Sequence, residues 1–111
     1  MEKTVLGLIE EVKILSKDRE ETILAKIDTG ADKSSIDMAL ASKLGLNLIK
    51  TIRIKSAEGK SVRPVVNAKL ILAGREVEDL FTLSNRKKLR HQVLIGQNIL
   101  KKGFIIDPNK E

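Results

Sequence analysis

The chain of 111 residues contains no cysteine, no tryptophan and no tyrosine. Without thiols there can be no disulfide scaffold, no thiolate zinc site and no cysteine nucleophile. Phe81 and Phe104 are the only aromatic residues, so the core must be almost wholly aliphatic and the stacking platforms of single-strand nucleic-acid binders are missing. His91 is the sole histidine. A catalytic zinc site wants roughly three protein ligands, usually with histidine among them, so no metal is expected. The longest apolar run, at 70–73, falls far short of the ~20 residues that span a membrane. The start, Met1-Glu2-Lys3-Thr4, lacks the charged-then-apolar layout of a signal peptide. The expectation is a soluble, cytoplasmic protein with no membrane partner.

What is present is globular: 41% of residues are hydrophobic and 32% are charged. The length suits a single domain over 1–111. The formal net charge is +6, from 21 basic and 15 acidic residues. A solvated, ion-rich surface would explain this by itself; an acidic partner is the functional alternative.

The dominant hydrophobic period is two, the spacing of a half-buried strand. It predicts a hairpin over 5–27 with a polar turn at 16–20, and a second over 51–66 turning at 57–60. Further strands are expected at 68–72 and 76–83, joined by Ala73-Gly74-Arg75, and at 93–95 and 104–106, with Pro108 ending the last. Two segments read as short helices. One covers 36–44, with Ser35 or Asp37 as its cap and Gly45 as its stop; the other covers 97–102 and ends at Gly103. Mostly short strands with two short helices point to an all-β fold, a small antiparallel barrel or sandwich.

Asp28-Thr29-Gly30 follows an apolar strand directly. Alone, the tripeptide reads as an Asx turn at a strand end. Its context says more, because Val93-Leu94-Ile95-Gly96 places aliphatics and a glycine just before a short helix. Together, Ala25-Lys26-Ile27-Asp28-Thr29-Gly30-Ala31-Asp32 and Val93-Leu94-Ile95-Gly96-Gln97-Asn98-Ile99-Leu100 resemble the two signatures of retropepsin-like aspartic proteases. The likeness keeps its order over 22–104. Ala57-Glu58-Gly59-Lys60, Arg63-Pro64-Val65-Val66 and Phe104-Ile105-Ile106-Asp107-Pro108 resemble the RimB-type branch, often labelled ATP-dependent zinc proteases and found beside glutamate ligases.

The resemblance implies a closed barrel, one half of a pepsin-like two-lobed assembly. It also implies a homodimer, and the chemistry agrees. Peptide hydrolysis needs a base to activate water and an acid for the leaving group; two close carboxylates sharing one proton supply both, as in aspartic proteases at large. The chain has one Asp-Thr-Gly, so two carboxylates require two copies around a two-fold axis. Asp28, Thr29 and Gly30 are then the catalytic residues, with Thr29 bonding across the axis and Gly30 allowing close backbone approach to the substrate. Ala31 and Asp32 would line the substrate cleft, and Ala57, Glu58 and Gly59 would lie at the tip of a flap over 55–64 that excludes water. Gly96 and Asn98 would shape the site from behind.

Several features depart from the viral pattern. Gln97 stands where many viral relatives carry an arginine that pairs with the acid matching Asp32, so no such ion pair is expected. Asp107-Pro108 interrupts the terminal strand that viral dimers use as an interface. The flap tip has one glycine flanked by Glu58 and Lys60, which suggests a more polar specificity. Gly59-Lys60-Ser61 imitates the end of a phosphate-binding loop, but Ile54 stands where its first glycine belongs, so no nucleotide cofactor is expected. The run Asn85-Arg86-Lys87-Lys88-Leu89-Arg90-His91 is the densest basic patch. It reads as a solvated loop or, functionally, as a device steering acidic or poly-glutamate peptides. The reading is an aspartic endopeptidase without cofactors. The competing readings are a catalytically silent binding or scaffold domain and, ranked lower, a basic nucleic-acid-binding module.

Overall fold

The computed structural model describes residues 2–56 and 59–110. The elements are β1 (Thr4–Leu6), β2 (Ile9–Leu15), β3 (Glu20–Ile27), β4 (Ser34–Asp37), α1 (Met38–Leu44), β5 (Asn47–Ser56), β6 (Gly59–Leu72), β7 (Arg75–Ser84), β8 (Val93–Ile95), α2 (Gln97–Leu100) and β9 (Phe104–Ile106). Strand order β2-β3-β8-β4-β7-β6 closes on itself through a β2–β6 pairing, giving a six-strand barrel; β5 pairs with β6 outside the ring. Among the described residues no helix is long and apolar enough to cross a membrane.

The barrel is not antiparallel throughout. β8 pairs parallel with β3 and antiparallel with β4, and β4 pairs parallel with β7. β8 is therefore inserted between two strands that follow each other in the chain. Its all-apolar sequence suits that place, since Val93 and Ile95 are fully buried and both its edges are hydrogen-bonded. The interior is aliphatic, built on residues such as Val12, Ile14, Ile36, Leu70, Leu72 and Ile95, with Phe81 as its one fully buried ring.

Four local expectations need correction. The first hairpin is β2–β3, 9–27, whereas β1 pairs parallel with β9 at the other end of the chain. Strands expected separately at 61–66 and 68–72 are one, β6, because Asn67 stays in register with both β5 and β7. Pro64 is tolerated in β6 because pairing with β7 begins only at Val65, leaving one neighbour there. The helix expected from Ile36 begins at Met38. Its cap is Asp37, whose Oδ2 accepts from Ala39 N (3.2 Å) and Leu40 N (3.4 Å); Ser35 lies in β4. Gly45 closes α1 in the left-handed conformation, as expected. The second helix is shorter than expected, α2 being followed by a turn over 101–103.

The β6–β7 turn has positive φ at both Ala73 and Gly74, the twist that matches a two-residue hairpin loop. Arg75, just after it, reaches across to the end of α2. Its guanidinium donates to the carbonyls of Gly103 (2.9 Å) and Lys102 (2.6 Å) and lies 4.3 Å from the centre of the Phe104 ring. This contact ties the β6–β7 hairpin to β9.

Candidate active site

Asp28 lies at the end of β3, where its backbone N–H still bonds Ile95 O of β8 at 2.9 Å. The chain then leaves the sheet. Ala31 N returns to Asp28 O (3.3 Å), and Gly30 N donates to Asp28 Oδ1 at 3.0 Å. One carboxylate oxygen is thus held by its own loop, and Oδ2 takes no hydrogen bond from the described residues. Asp28 is half-buried, while Thr29 and Gly30 are exposed at the loop tip.

To reach β4, the loop must cross the end of the inserted strand β8. Gly96 sits at the crossing. A Cβ there would lie 2.5 Å from Lys33 O and 2.8 Å from Ala31 O. Here glycine is required by the close approach of two backbone segments. Three bonds lock the crossing: Gln97 N to Ala31 O (2.8 Å), Asn98 N to Asp32 O (3.2 Å) and Gly96 N to Ser34 Oγ (2.9 Å). The Gln97 side chain donates to Thr29 O at 2.7 Å, so it supports the loop tip through the backbone.

Asn98 is the hub behind the site. Its Oδ1 accepts from Ser34 N (2.9 Å) and Ser34 Oγ (2.8 Å), and its Nδ2 donates to Leu80 O (3.0 Å). It thereby joins α2, β4 and β7. Neighbouring Asp79 accepts from Leu80 N (2.7 Å) and pairs with Lys102 Nζ (3.1 Å). Burial pushes the Asp79 carboxyl up, but the bonds from Leu80, Lys102 and Asn98 outweigh it and hold it below the usual carboxylate range. A depressed acid stabilises the fold fully above its unfolded value, about 3.9. That stability is lost as pH falls through the lower folded value. The expected result is that Asp79→Asn flattens the drop in thermal midpoint below about pH 4; an unchanged drop would show that other groups govern acid unfolding.

Arg86 and Ser34 were not singled out for the site by sequence. Ser34 looks like part of a polar loop, yet it is fully buried. Arg86 belongs to the basic run, but its Nε donates to His91 O (2.8 Å) and its N–H to Asp37 Oδ1 (2.8 Å). Burial pushes its guanidinium down, while the Asp37 and Asp28 carboxylates pull it up, so Arg86 lies within the field of Asp28. Arg86, Arg90 and His91 line a cavity of about 570 Å³ together with Ile27, the residue before Asp28.

Of the residues named from sequence, Asp28, Thr29, Gly30, Ala31 and Asp32 form one loop over Gly96 and Asn98. Gly59 begins β6 at the far end of the β5–β6 hairpin. Ala57 and Glu58, named at the flap tip, lie outside the described residues. Among the described residues no three His, Cys, Asp or Glu side chains gather closely enough to hold a metal ion.

Comparison with known proteins agrees with this geometry. Residues 17–102 match the family model described as "gag-polyprotein putative aspartyl protease". Comparison with curated protein sequences gave no match. A Legionella pneumophila protein of unknown function is 20% identical, with TM-score 0.69, over 96% of this chain and 94% of its own. The simian foamy virus (mac) protease is 22% identical, with TM-score 0.63, over 84% of this chain and 91% of its own. The EIAV protease, solved with the inhibitor HBY-793, is 17% identical, with TM-score 0.62, over 86% of each chain. At these identities the likeness establishes the fold, a retropepsin-like barrel. The match over 17–102 shows that the chain belongs to the gag-polyprotein aspartyl protease family.

Proposed function

We propose that this chain is one subunit of a homodimeric aspartic endopeptidase. The observation that carries the reading is the Asp28 loop. It presents a half-buried carboxylate at the end of β3, anchored on one oxygen by Gly30 N–H, just behind the exposed tip of a loop locked across Gly96. A second copy brought up on the two-fold axis would set an identical carboxylate against it, with Thr29 of each copy beside the axis.

In that assembly a water molecule lies between the two carboxyl groups. The ionised one takes a proton from the water as its oxygen attacks the peptide carbonyl. The protonated one gives its proton to the carbonyl oxygen. Collapse of the tetrahedral species returns a proton to the departing nitrogen and releases acid and amine. In this reading the β5–β6 hairpin covers the cleft and excludes water.

The seat for the partner is the face holding Thr29, Gln97, Phe104 and Ile105, which line one shallow cavity of about 450 Å³. Ile105 is 45% exposed there. In this chain β9 is already paired with its own β1, and Asp107 N bonds Leu6 O at 2.8 Å. The terminal strands therefore form an intrachain sheet, and the proposed dimer joins preformed faces. The RimB-type likeness of the flap and of 104–108, and the cations beside Ile27, favour acidic or poly-glutamate peptides as substrates.

The test is a digest of mixed peptides from pH 4 to 8, with native mass measured on the same sample. A dimer that cleaves internal peptide bonds supports the reading. A chain that stays monomeric and cleaves nothing is the silent scaffold instead. Retention on heparin that collapses with salt, with no cleavage, would favour the nucleic-acid module.

A further inference from the structure

A second cavity, of about 160 Å³, lies between the Asp28–Lys33 loop and the root of the β5–β6 hairpin. Its apolar wall is Ile52, Val65 and Leu80, and Lys33 and Lys50 stand at its edge. We propose that this cavity reads one acidic side chain of the peptide substrate, with Lys33 and Lys50 as its specificity-determining residues. The inference rests on the peptidase reading and assigns part of its selectivity.

Lys50 reaches this cavity because of a backbone irregularity. In a regular strand, residues two apart share a face. Leu48 pairs with Val66 and Lys50 with Val65, so Ile49 is an extra residue in β5. The bulge turns the two pairs to opposite faces. Leu48 and Val66 line a groove beside α1, with Met38 and Leu83. Lys50 and Val65 line the cleft-side cavity instead. A cation is thus aimed at the place where a substrate side chain would enter, across from the loop that carries Asp28.

The other polar lining groups are already committed. Asp79 is bound by Leu80 N and countered by Lys102. Asn98 is spent on Ser34 and Leu80, and Thr82 Oγ1 donates to Ser34 O at 3.3 Å. Among the described residues, Lys33 and Lys50 make no side-chain hydrogen bond or ion pair. The cavity's uncompensated charge is therefore positive, above an apolar wall. That combination suits a side chain with a short aliphatic stem and a terminal carboxylate. Two flexible ammonium groups can converge on such a carboxylate without the fixed geometry an arginine imposes.

The test uses the full chain carrying Asp28→Asn, so that binding is read without turnover. The probes are short, otherwise uncharged peptides with Glu, Gln or Lys at one position, moved along the peptide. At one position the Glu peptide should bind about fivefold more tightly than the Gln peptide. Amide NMR shifts should centre on Lys33, Lys50 and Thr82. In the same background, Lys33→Glu with Lys50→Glu should reverse the order, so that the Lys peptide binds best. Both lysines are exposed, so the double variant keeps its fold, which its amide spectrum verifies. Equal binding of the three peptides, no binding at all, a Glu preference that survives the double reversal, or shifts confined to 86–91 would each overturn the inference. Failure of the unaltered chain to cleave any peptide counts separately, against the peptidase reading, because these binding results do not depend on it.

Discussion

Asp28→Asn should abolish peptide hydrolysis, by at least about 10⁴-fold in kcat/KM, while leaving the thermal midpoint nearly unchanged. Asparagine matches the carboxylate in shape and can still accept the Gly30 N–H bond through its amide oxygen. What it loses is the ability to take and give a proton. The more decisive form of the experiment mixes subunits. If each site needs one carboxylate from each copy, a dimer in which one chain carries Asp28→Asn is as inactive as one in which both do. Activity should then fall as the square of the wild-type fraction, to about a quarter at equal mixing. A linear fall to about half would mean that each chain works alone, and the paired-carboxylate mechanism would have to be abandoned.

Gly96→Ala should have the largest effect on stability of any single methyl added to the chain. The new carbon would meet the carbonyl oxygens of Lys33 and Ala31, at 2.5 and 2.8 Å. These are backbone atoms, and Ala31 O is already held by Gln97 N, so neither can swing aside as a flexible side chain would. Either the loop rises off β8 or α2 is pushed down. We expect a loss of about 3 kcal/mol, the upper part of the range for overpacking, and a fall in thermal midpoint of roughly 15 °C. Activity should suffer beyond the stability loss. Moving the Asp28 loop by even about 1 Å can cost about 10²-fold in rate. Thermal unfolding, with peptide cleavage measured below the midpoint as the second readout, checks both parts. A midpoint shift of only about 2 °C would show that the two segments cross with more room than the structure gives them.

The hairpins were legible because their signal is local. Alternating residues and a polar turn lie within one stretch of chain, and β2–β3 and β5–β6 follow from them. The same local reading missed β4 and put its Ile36 and Asp37 in a helix. Ser34 and Ser35 look like loop residues, yet they are buried in a strand because Asn98 and Ser84 satisfy their hydroxyls. Those partners are 64 and 49 residues away, beyond any periodicity window. The bulge at Ile49 was equally hidden, since an extra residue in one strand shows only when its partner strand is known. Arg86 is a third case. In a run of cations it is indistinguishable from its neighbours; only the fold bonds its backbone N–H to Asp37 and brings it within the field of Asp28.

By itself, the sequence determined the chemistry available: one Asp-Thr-Gly per chain, no thiol, a single histidine, and a glycine ahead of the second helix. Those are properties of the string of residues and hold whatever the chain folds into. Only the tertiary structure decided that β8 enters between β3 and β4, that the Asp28 loop must therefore cross over Gly96, and that Lys50 lines the cavity with Val65 rather than the groove beside α1. The reason is physical. Which distant strands pair, and which face a side chain takes after a bulge, are settled by burying aliphatic surface and satisfying backbone hydrogen bonds across the whole barrel, not by the pattern of any one segment.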